Sequence, residues 1–593
     1  MPKTKSAPES APVTLDQKRH SLSHLMAQAV LEMFPDAKLA IGPTIDNGFY
    51  YDFELPRTLI PEDLPLLEKK MRQYIRQNQK FEHHTEPVDQ AIQFYHAAKQ
   101  PFKAELIADL KAKGETEVNF YKNGSFVDLC KGPHVDSTSQ IGENAFKLDK
   151  IAGAYWRGDE HRPMLQRIYG IAFDTREELD KYIELRKEAE RRDHRKLGKE
   201  LKLFTISELV GAGLPLIQPR GMVIRKAIED YLWELHRGKG YLRVWTPHLA
   251  REALYVTSGH AAKFGHELFR VTGGEEKFFM KPMNCPHHMQ IYADNQFSYR
   301  DMPIRYFEPA TVYRDEKSGQ LSGLTRVRAI TQDDGHLFCR VTQIGEEVST
   351  IVGIIRKFYE TMGMMSDYWV SLSVRGEDRS KYLGTDQAWD TAEKSLEEAA
   401  KANHLNYKRI EGEAAFYGPK LDFIFKDSLG RPWQLATIQC DFNLPERFKL
   451  EFINENGEKE RPVVIHRAIS GSLERFMGIL IEHFAGAFPP WLAPVQVVLI
   501  PVAGAHDKYA EEVRQKLLEQ DIRVETYGSS ETLGKRVRNA DMQKVPYMLV
   551  LGDKEVESDS VCIRRHGSRD QTTVKFATFL KDLVEQVKER KLS

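Results

Sequence analysis

Apolar positions recur along the chain with two different periods, and the change of period separates helices from strands. In residues 220–250 (RGMVIRKAIEDYLWELHRGKGYLRVWTPHLA) they follow helical spacing, stop at a glycine turn and resume as a strand holding Pro247. Residues 305–336 read as two β-runs joined by a polar, glycine-containing loop, which predicts a long hairpin. Residues 470–484 (SGSLERFMGILIEHF) are a small-residue turn entering an apolar helix. Residues 176–202 carry many opposite charges four apart, which predicts a connecting helix with solvated faces. The same charges would also suit a grip on RNA. After WLAP, the runs VQVVLIPV, DIRVETY, PYMLVLG and SVCIRR are strand-like, with helical patterns such as KYAEEVRQKLLEQ between them. That alternation predicts a compact α/β module of about 100 residues. Residues 15–175 mix helices and short strands, and the opening residues 1–14, rich in Pro, Ser, Ala and Lys, predict a disordered tail.

Length sharpens this picture. At 593 residues the chain is too long for one core, and three or four domains are expected. A hydrophobic content of 41% with 29% charged residues is ordinary for a globular chain and excludes the disordered and fibrous classes. No apolar run approaches the ~18 residues of a membrane span, so no membrane partner is expected. The start lacks the apolar stretch of a secretory signal. Five cysteines without pattern suit a reducing, cytoplasmic location without disulfides. A net charge of −1 gives no general support for nucleic-acid binding, so RNA contact would rest on local basic patches. There is no internal repeat.

Chemistry enters with KPMNCPHH (residues 281–288), TQDDGHLF (331–338) and VVIHRA (463–468). They supply Cys285, His336 and His466. One thiolate and two imidazoles make a three-ligand zinc site with one position open. A small buried cysteine and two hydrogen-bonded core histidines fit the same residues. Arg314 and Glu316 form an R-x-E pair at the end of the first hairpin strand, where alternation would send both side chains into one pocket. The guanidinium could hold a phosphate and the carboxylate an exocyclic amine; a surface charge pair is the plainer reading. Arg475, in the first turn of its apolar helix, suits a polyphosphate. The absence of GxxxxGK[ST], and of GxGxxG after a strand, excludes P-loop and dinucleotide folds. Near the start, His20 and His24 stand four apart on one helical face, and FVDLCKGPHVD adds Cys130 and His134. The four could form a metal tetrad or a polar hydrolytic pocket.

Amphipathic helix, strand with Pro247, R-x-E hairpin and small-residue turn with Arg475 occur in the order of motifs one, two and three of the class II aminoacyl-tRNA synthetases, which the chain resembles. Within that class the Cys285, His336 and His466 set, GEAAFYGPKLDF (412–423) and PYMLVLGDKEVES (546–558) resemble the threonyl-tRNA synthetase family, over nearly the whole chain from about residue 16. The resemblance implies an α+β multidomain fold. Its parts would be an N-terminal α+β editing domain (15–175), a helical linker (176–202), a class II antiparallel-sheet catalytic domain (203–490) and a C-terminal α/β anticodon-binding domain (495–593). It implies ATP-dependent ligation of L-threonine to tRNA(Thr) through a threonyl-adenylate, in a homodimer paired around Pro247.

Roles follow from the same resemblance. Arg314 would hold the α-phosphate and substrate carboxylate, Arg475 the γ-phosphate, and Glu316 the adenine amine. Gln434 and Thr437 match nucleotide contacts, and Mg²⁺ would accompany ATP. Ile330 stands where the family usually has an aromatic residue under the adenine. One Zn²⁺ per subunit, on Cys285, His336 and His466, would ligate the amine and hydroxyl of threonine. Asp334 would accept the hydroxyl proton, and Gln332, Tyr417 and Lys420 would complete the polar wall. Serine lacks only a methyl, worth ~1–3 kcal/mol of discrimination, so a second, hydrolytic site for seryl-tRNA is expected. His20, His24, Lys103, Asp128, Cys130 and His134 match it, in a family where it is thought to act without metal. Glu555 and Arg564 match anticodon contacts. Many bacterial members begin with a ubiquitin-like domain, and this chain is expected to lack it. A synthetase for another amino acid and a catalytically silent RNA-binding regulator are the competing readings; the zinc set with Asp334 argues against the first, and intact Arg314, Glu316 and Arg475 against the second.

Overall fold

Thr14 starts the first helix, α1 (Leu15–Met33): its side chain accepts the Gln17 amide, and the Gln17 side chain returns to the Thr14 backbone. The computed structural model describes residues 12–592, so the tail expected at 1–14 lies outside them except for its last residues, where Thr14 is a helix cap. The described chain falls into two compact units, one ending at Lys187 and one beginning at Glu188.

In the first unit α1 buries Leu22, Leu25 and Met26 against Phe49, Phe53 and Ile168 of an antiparallel sheet. A second, three-stranded sheet (Phe81–Pro87, Glu117–Asn123, Phe126–Leu129) has its own small core of Val88, Tyr95, Ile107, Val118 and Phe120. Helix α2 (Pro101–Ala112), begun by a proline whose missing amide costs nothing at that position, contributes Ile107 to it.

The second unit begins with the end of the charged helix Arg176–Arg192, followed by α3 (His194–Glu200) and α4 (Pro219–Arg237). Its centre is an eight-stranded sheet. In chain order the strands and main helices are β1 (Tyr241–Arg243), α5 (Cys285–Ala293), β2 (Ile304–Tyr313), β3 (Ala329–Cys339), α6 (Ile344–Thr361), β4 (Tyr368–Val374), α7 (Asp386–Ala402), β5 (Tyr407–Glu411), β6 (Lys420–Lys426), β7 (Pro432–Asp441), β8 (Val463–Ser472) and α8 (Leu473–His483). The spatial order is β1-β2-β3-β8-β7-β6-β4-β5. Only the two outer pairs are parallel. The hairpin expected at 305–336 is β2–β3, with Tyr313 opposite Ala329 at its loop end.

Strand alternation divides the residues between two faces. Leu337 and Cys339 of β3, Val463 and Ile465 of β8, and Leu421 and Phe423 of β6 join α4, α6, α7 and α8 in the main core. Gln332, Asp334 and His336, with His466 and Ala468, occupy the other face, where a cavity opens. Between Gln332 and Asp334 the register slips: Gln332 pairs with Ser472, Asp334 with Ala468. The residues 469–471 therefore bulge opposite Asp333.

From residue 497 the four expected strands and a fifth that was not expected, Gln571–Lys575, form a five-stranded sheet, parallel in its first three strands and antiparallel in its last two, with helices Asp507–Leu518, Leu533–Met542 and Phe576–Glu589. The whole is α+β and multidomain, as expected. Among the described residues no helix is long and apolar enough to cross a membrane.

Candidate active site

His336 and His466 are direct cross-strand partners on β3 and β8. Cys285 faces them from the first turn of α5, and the three ligand atoms lie within 4.8 Å of one another with every side chain buried. Burial holds the His336 imidazole well below its ordinary pKa, which is the neutral form a metal takes. Burial also pushes the Cys285 thiol well up, so it needs a cation beside it to ionise. The donor set fits a zinc ion.

Behind the ligands stands a polar layer that sequence reasoning missed. His336 Nδ1 meets His288 Nδ1 at 2.7 Å, and His288 Nε2 meets Glu308 at 3.0 Å. Glu308 also accepts the Thr246 amide at 2.7 Å, and the Lys281 ammonium lies 3.8 Å from its carboxylate. His466 Nε2 meets Asp441 Oδ2 at 2.9 Å, while Asp441 Oδ1 accepts the amides of Asn443 and Leu444. Each ligand histidine thus has one nitrogen occupied and the other free, which fixes its ring for coordination. A further histidine, His260, lies 3.5 Å from Cys285 Sγ, and burial pushes it down to about 3. The signal was present: His287 and His288 at the start of α5, with the cap residue Asn284, are three polar residues clustered beside Cys285, and all three are buried.

The cavity in front measures about 340 Å³. Arg314, Ile330, Gln332, Asp334, Tyr417, Gln434, Thr437 and Arg475 line it, together with His336 and His466. Asp334 accepts Asn284 Nδ2 at 3.1 Å and lies 4.0 Å from His336 Nε2. The Gln332 side-chain oxygen Oε1 and the Arg314 Nε are buried without a hydrogen-bond partner among the described residues. Among the described residues neither Arg314 nor Arg475 hydrogen-bonds a carboxylate; Arg314 Nη2 meets the Met283 sulfur and its guanidinium lies over the Phe264 ring, while Arg475 Nε donates to the Thr325 carbonyl at 3.0 Å. Burial lowers both pKa values. Two residues stand back from the wall. Lys420 is held by Asp422 at 2.5 Å, and the other oxygen of Asp422 accepts the Thr437 hydroxyl. Glu316 is paired with Arg326 at 2.7 Å. Strand β2 ends at Tyr313, so the alternation that would have sent Glu316 beside Arg314 no longer operates there.

In the first unit, His20 and His24 of α1 meet Cys130 and His134, all four ligand atoms within 4.8 Å of one another. Cys130 Sγ lies 3.2 Å from both His20 Nε2 and His134 Nε2. Burial lowers all three imidazole pKa values and pushes the Cys130 thiol up to about 11. Lys103 is buried in an ion pair with Asp128 at 2.6 Å, and Tyr51 donates to the same carboxylate at 2.5 Å. A cavity of about 550 Å³ is walled by His20, His24, Lys103, Asp128 and Cys130. Near the C-terminus, Glu555 is half-buried and accepts the Gly552 amide, while the half-buried Arg564 sits in the strand Ser560–Arg565 opposite Gln571.

Residues 269–484 match the family described as tRNA synthetase class II core domain (G, H, P, S and T), residues 496–586 the anticodon binding domain, and residues 118–169 the threonyl and alanyl tRNA synthetase second additional domain. A threonine–tRNA ligase of Gloeobacter violaceus is 47% identical over 590 residues, covering 98% of this chain and 94% of that protein. One from Thermus thermophilus is 47% identical, covering 97% of this chain and 89% of the other. The solved RNA binding domain of threonyl-tRNA synthetase from Cryptosporidium parvum superposes with a TM-score of 0.63 at 34% identity, over 66% of this chain and 98% of that one.

Proposed function

The chain belongs to the threonine–tRNA ligase family, an aminoacyl-tRNA synthetase that charges tRNA with threonine, and from that premise we propose how its residues divide the work. The carrying observation is the pair of half-buried guanidiniums, Arg314 and Arg475, facing one cavity with no carboxylate hydrogen-bonded to either among the described residues. Two partly desolvated cations facing one cavity favour an anion in the space between them. ATP, with its Mg²⁺, is that anion. Arg314 holds the α-phosphate against the threonine carboxylate, and Arg475 holds the γ-phosphate. Carboxylate attack then releases pyrophosphate and leaves threonyl-adenylate, a step that needs alignment and charge neutralisation more than proton transfer. Gln434 and Thr437 bind the nucleotide, and Glu316, beside the wall, reads the adenine amine once Arg326 yields it. Ile330 gives the adenine an aliphatic contact.

Threonine and valine are nearly isosteric, and an apolar pocket separates such a pair by only about 10²-fold. Cys285, His336 and His466 would hold a zinc ion, which would supply Lewis-acid chemistry toward an amine and a hydroxyl together, a pair that threonine has and valine lacks. Asp334 accepts the hydroxyl proton, the unpartnered Gln332 oxygen accepts a hydrogen bond, Tyr417 completes the wall, and Lys420, set back from it, reaches the substrate once Asp422 yields it. ATP–pyrophosphate exchange with single amino acids tests this: threonine should support it, serine weakly, valine hardly at all. Exchange with valine equal to threonine would refute the assignment.

Serine passes this filter, and the first unit is proposed to hydrolyse seryl-tRNA without metal. His20 orients the water, Lys103 stabilises the developing oxyanion and helps protonate the leaving ribose oxygen, and Cys130, held as a neutral thiol, is wall and not nucleophile. His24, His134 and Asp128 hold these groups in place. Replacing His20 and His24 together by Ala should let seryl-tRNA accumulate; clearance at the parental rate would end this reading. Glu555 and Arg564 are proposed anticodon contacts. A homodimer through α4 and β1 is supported by apolar exposure there: Leu242 of β1 is 57% exposed, and Trp245 just after it 74% exposed. Sedimentation should show twice the chain mass. The five unpaired cysteines suit a cytoplasmic location.

A further inference from the structure

The charged connector leads into a buried histidine that the activity does not yet explain. His194 opens α3 and is 3% exposed. Its Nδ1 lies 2.6 Å from Glu482 Oε1, which also accepts the His194 amide at 3.0 Å. Its Nε2 accepts the Leu324 amide at 3.0 Å. A nitrogen that accepts an amide proton carries none of its own, so the ring proton sits on Nδ1 and is donated to Glu482. Asp193, His194 and Glu482 are close enough to suggest a cation site. Both ring nitrogens are engaged, however, and the second oxygen of Glu482 is paired with Arg431. The cluster is a junction.

Three elements meet at this ring. Glu482 stands in the last turn of α8, the helix that carries Arg475 in its first turn. Leu324 belongs to the loop joining β2 to β3, and the next residue, Thr325, supplies the carbonyl that holds Arg475 Nε. Two glycines make the space. Gly323 has φ +48, and a Cβ there would stand 2.1 Å from His194 Nε2. A Cβ on Gly478 of α8 would press on Leu324 at 3.3 Å and Thr325 at 3.4 Å.

We propose that His194 is a positioning residue for the nucleotide: it ties Leu324 to Glu482, so that the Thr325 carbonyl fixes the Arg475 guanidinium with its terminal nitrogens left for phosphate. The inference rests on the reading of Arg475 as a phosphate contact. The test is threonine-dependent pyrophosphate exchange at varied ATP and varied threonine. The variants are His194→Ala, His194→Asn, Arg475→Ala, and Arg475→Ala combined with His194→Asn. Asparagine keeps a donor near the Nδ1 position and loses the acceptor for Leu324. His194→Asn should raise KM for ATP about fivefold or more, the scale of one buried hydrogen bond, with KM for threonine within about twofold. It should add nothing in the Arg475→Ala background. Gly478→Ala, which presses on the same loop from α8 and spares the Glu482 bond, should raise KM for ATP likewise. A structural role alone would lower the thermal midpoint and leave KM for ATP in place, which overturns the proposal. Additive effects of the two substitutions overturn it as well. If Arg475→Ala leaves KM for ATP unchanged, the phosphate reading fails and the positioning role falls with it. If Arg475→Ala raises it and His194→Asn does not, only the positioning role falls.

Discussion

Replacing Asp333 with Ala removes the acceptor that closes the β8 bulge. Its carboxylate is fully buried. Oδ1 accepts the amides of Ser470 and Gly471 and the Ser470 hydroxyl, at 3.0, 2.9 and 2.9 Å, and Oδ2 accepts the Ile469 amide at 2.8 Å. Arg467, also buried, lies 3.6 Å from the same group. Burial pushes the Asp333 carboxyl up to about 6, so an assay at pH 8 finds it ionised. Each buried donor stranded without a partner costs about 1–3 kcal/mol. The plain sum overshoots, because Gly471 is half-buried on the cavity edge and water reaches it. Two fully buried amides and a buried Arg467 without its counter-charge leave a loss of about 3–5 kcal/mol. Of seven tryptophans only Trp156 precedes residue 188, so urea unfolding followed by tryptophan fluorescence reports mainly on the second unit. The bulge leads into Ser472 and the first turn of α8, so KM for ATP should rise together with the stability loss. Asp333→Asn keeps one oxygen for Ser470 and Gly471 but sets an amide NH₂ against the Ile469 amide, and should fall between. A fluorescence transition displaced by less than about 1 kcal/mol, with unchanged exchange kinetics, would show that other contacts hold the bulge.

Cys285→Ser should abolish retention of a metal, measured as about one zinc per chain in the parent by elemental analysis, and remove threonine activation with it; a metal-free variant with full exchange activity would contradict the site. Cys130 should resist alkylation: at pH 8 a thiol of pKa about 11 is roughly 0.1% ionised against about a quarter for an ordinary thiol. Peptide mass spectrometry after iodoacetamide reads this directly, and fast labelling of Cys130 would reopen a nucleophilic role. Arg564→Ala should lower kcat/KM for tRNA aminoacylation by about 5- to 100-fold, the scale of one lost base contact, with exchange unchanged. An equal drop in both assays would refute a purely anticodon role.

What sequence alone could reach follows from what periodicity encodes. The β2–β3 hairpin, α4, α8 and the C-terminal strands were legible because burial on one face forces a period of 2 or 3.6. The same rule failed at Glu316, where alternation was carried past the end of β2 at Tyr313. His336 and His466 could be suspected separately, but only the β3–β8 register makes them neighbours. The residues that escaped notice, His288, Glu308, Asp441, Asp333, Arg467 and His194, are buried polar groups whose partners lie far along the chain. Pattern gives such residues no partner until the fold does. One clue was nevertheless present in TQDDGHLF. Counting back from Cys339 and Leu337 by twos reaches Gly335 and Asp333, so the core face of an apolar strand carries a glycine and then an acid. A vacancy beside a buried negative charge implies a large buried cation. The register supplies it: Gly335 is the cross-strand partner of Arg467, and a Cβ on Gly335 would stand 2.6 Å from that guanidinium. Arg467 in turn lies over the rings of Tyr241 and Phe307 and donates to the Asp333 carbonyl at 2.6 Å. The glycine is therefore a space for an arginine, and the arginine stands behind the strand whose opposite face presents His466 to the cavity.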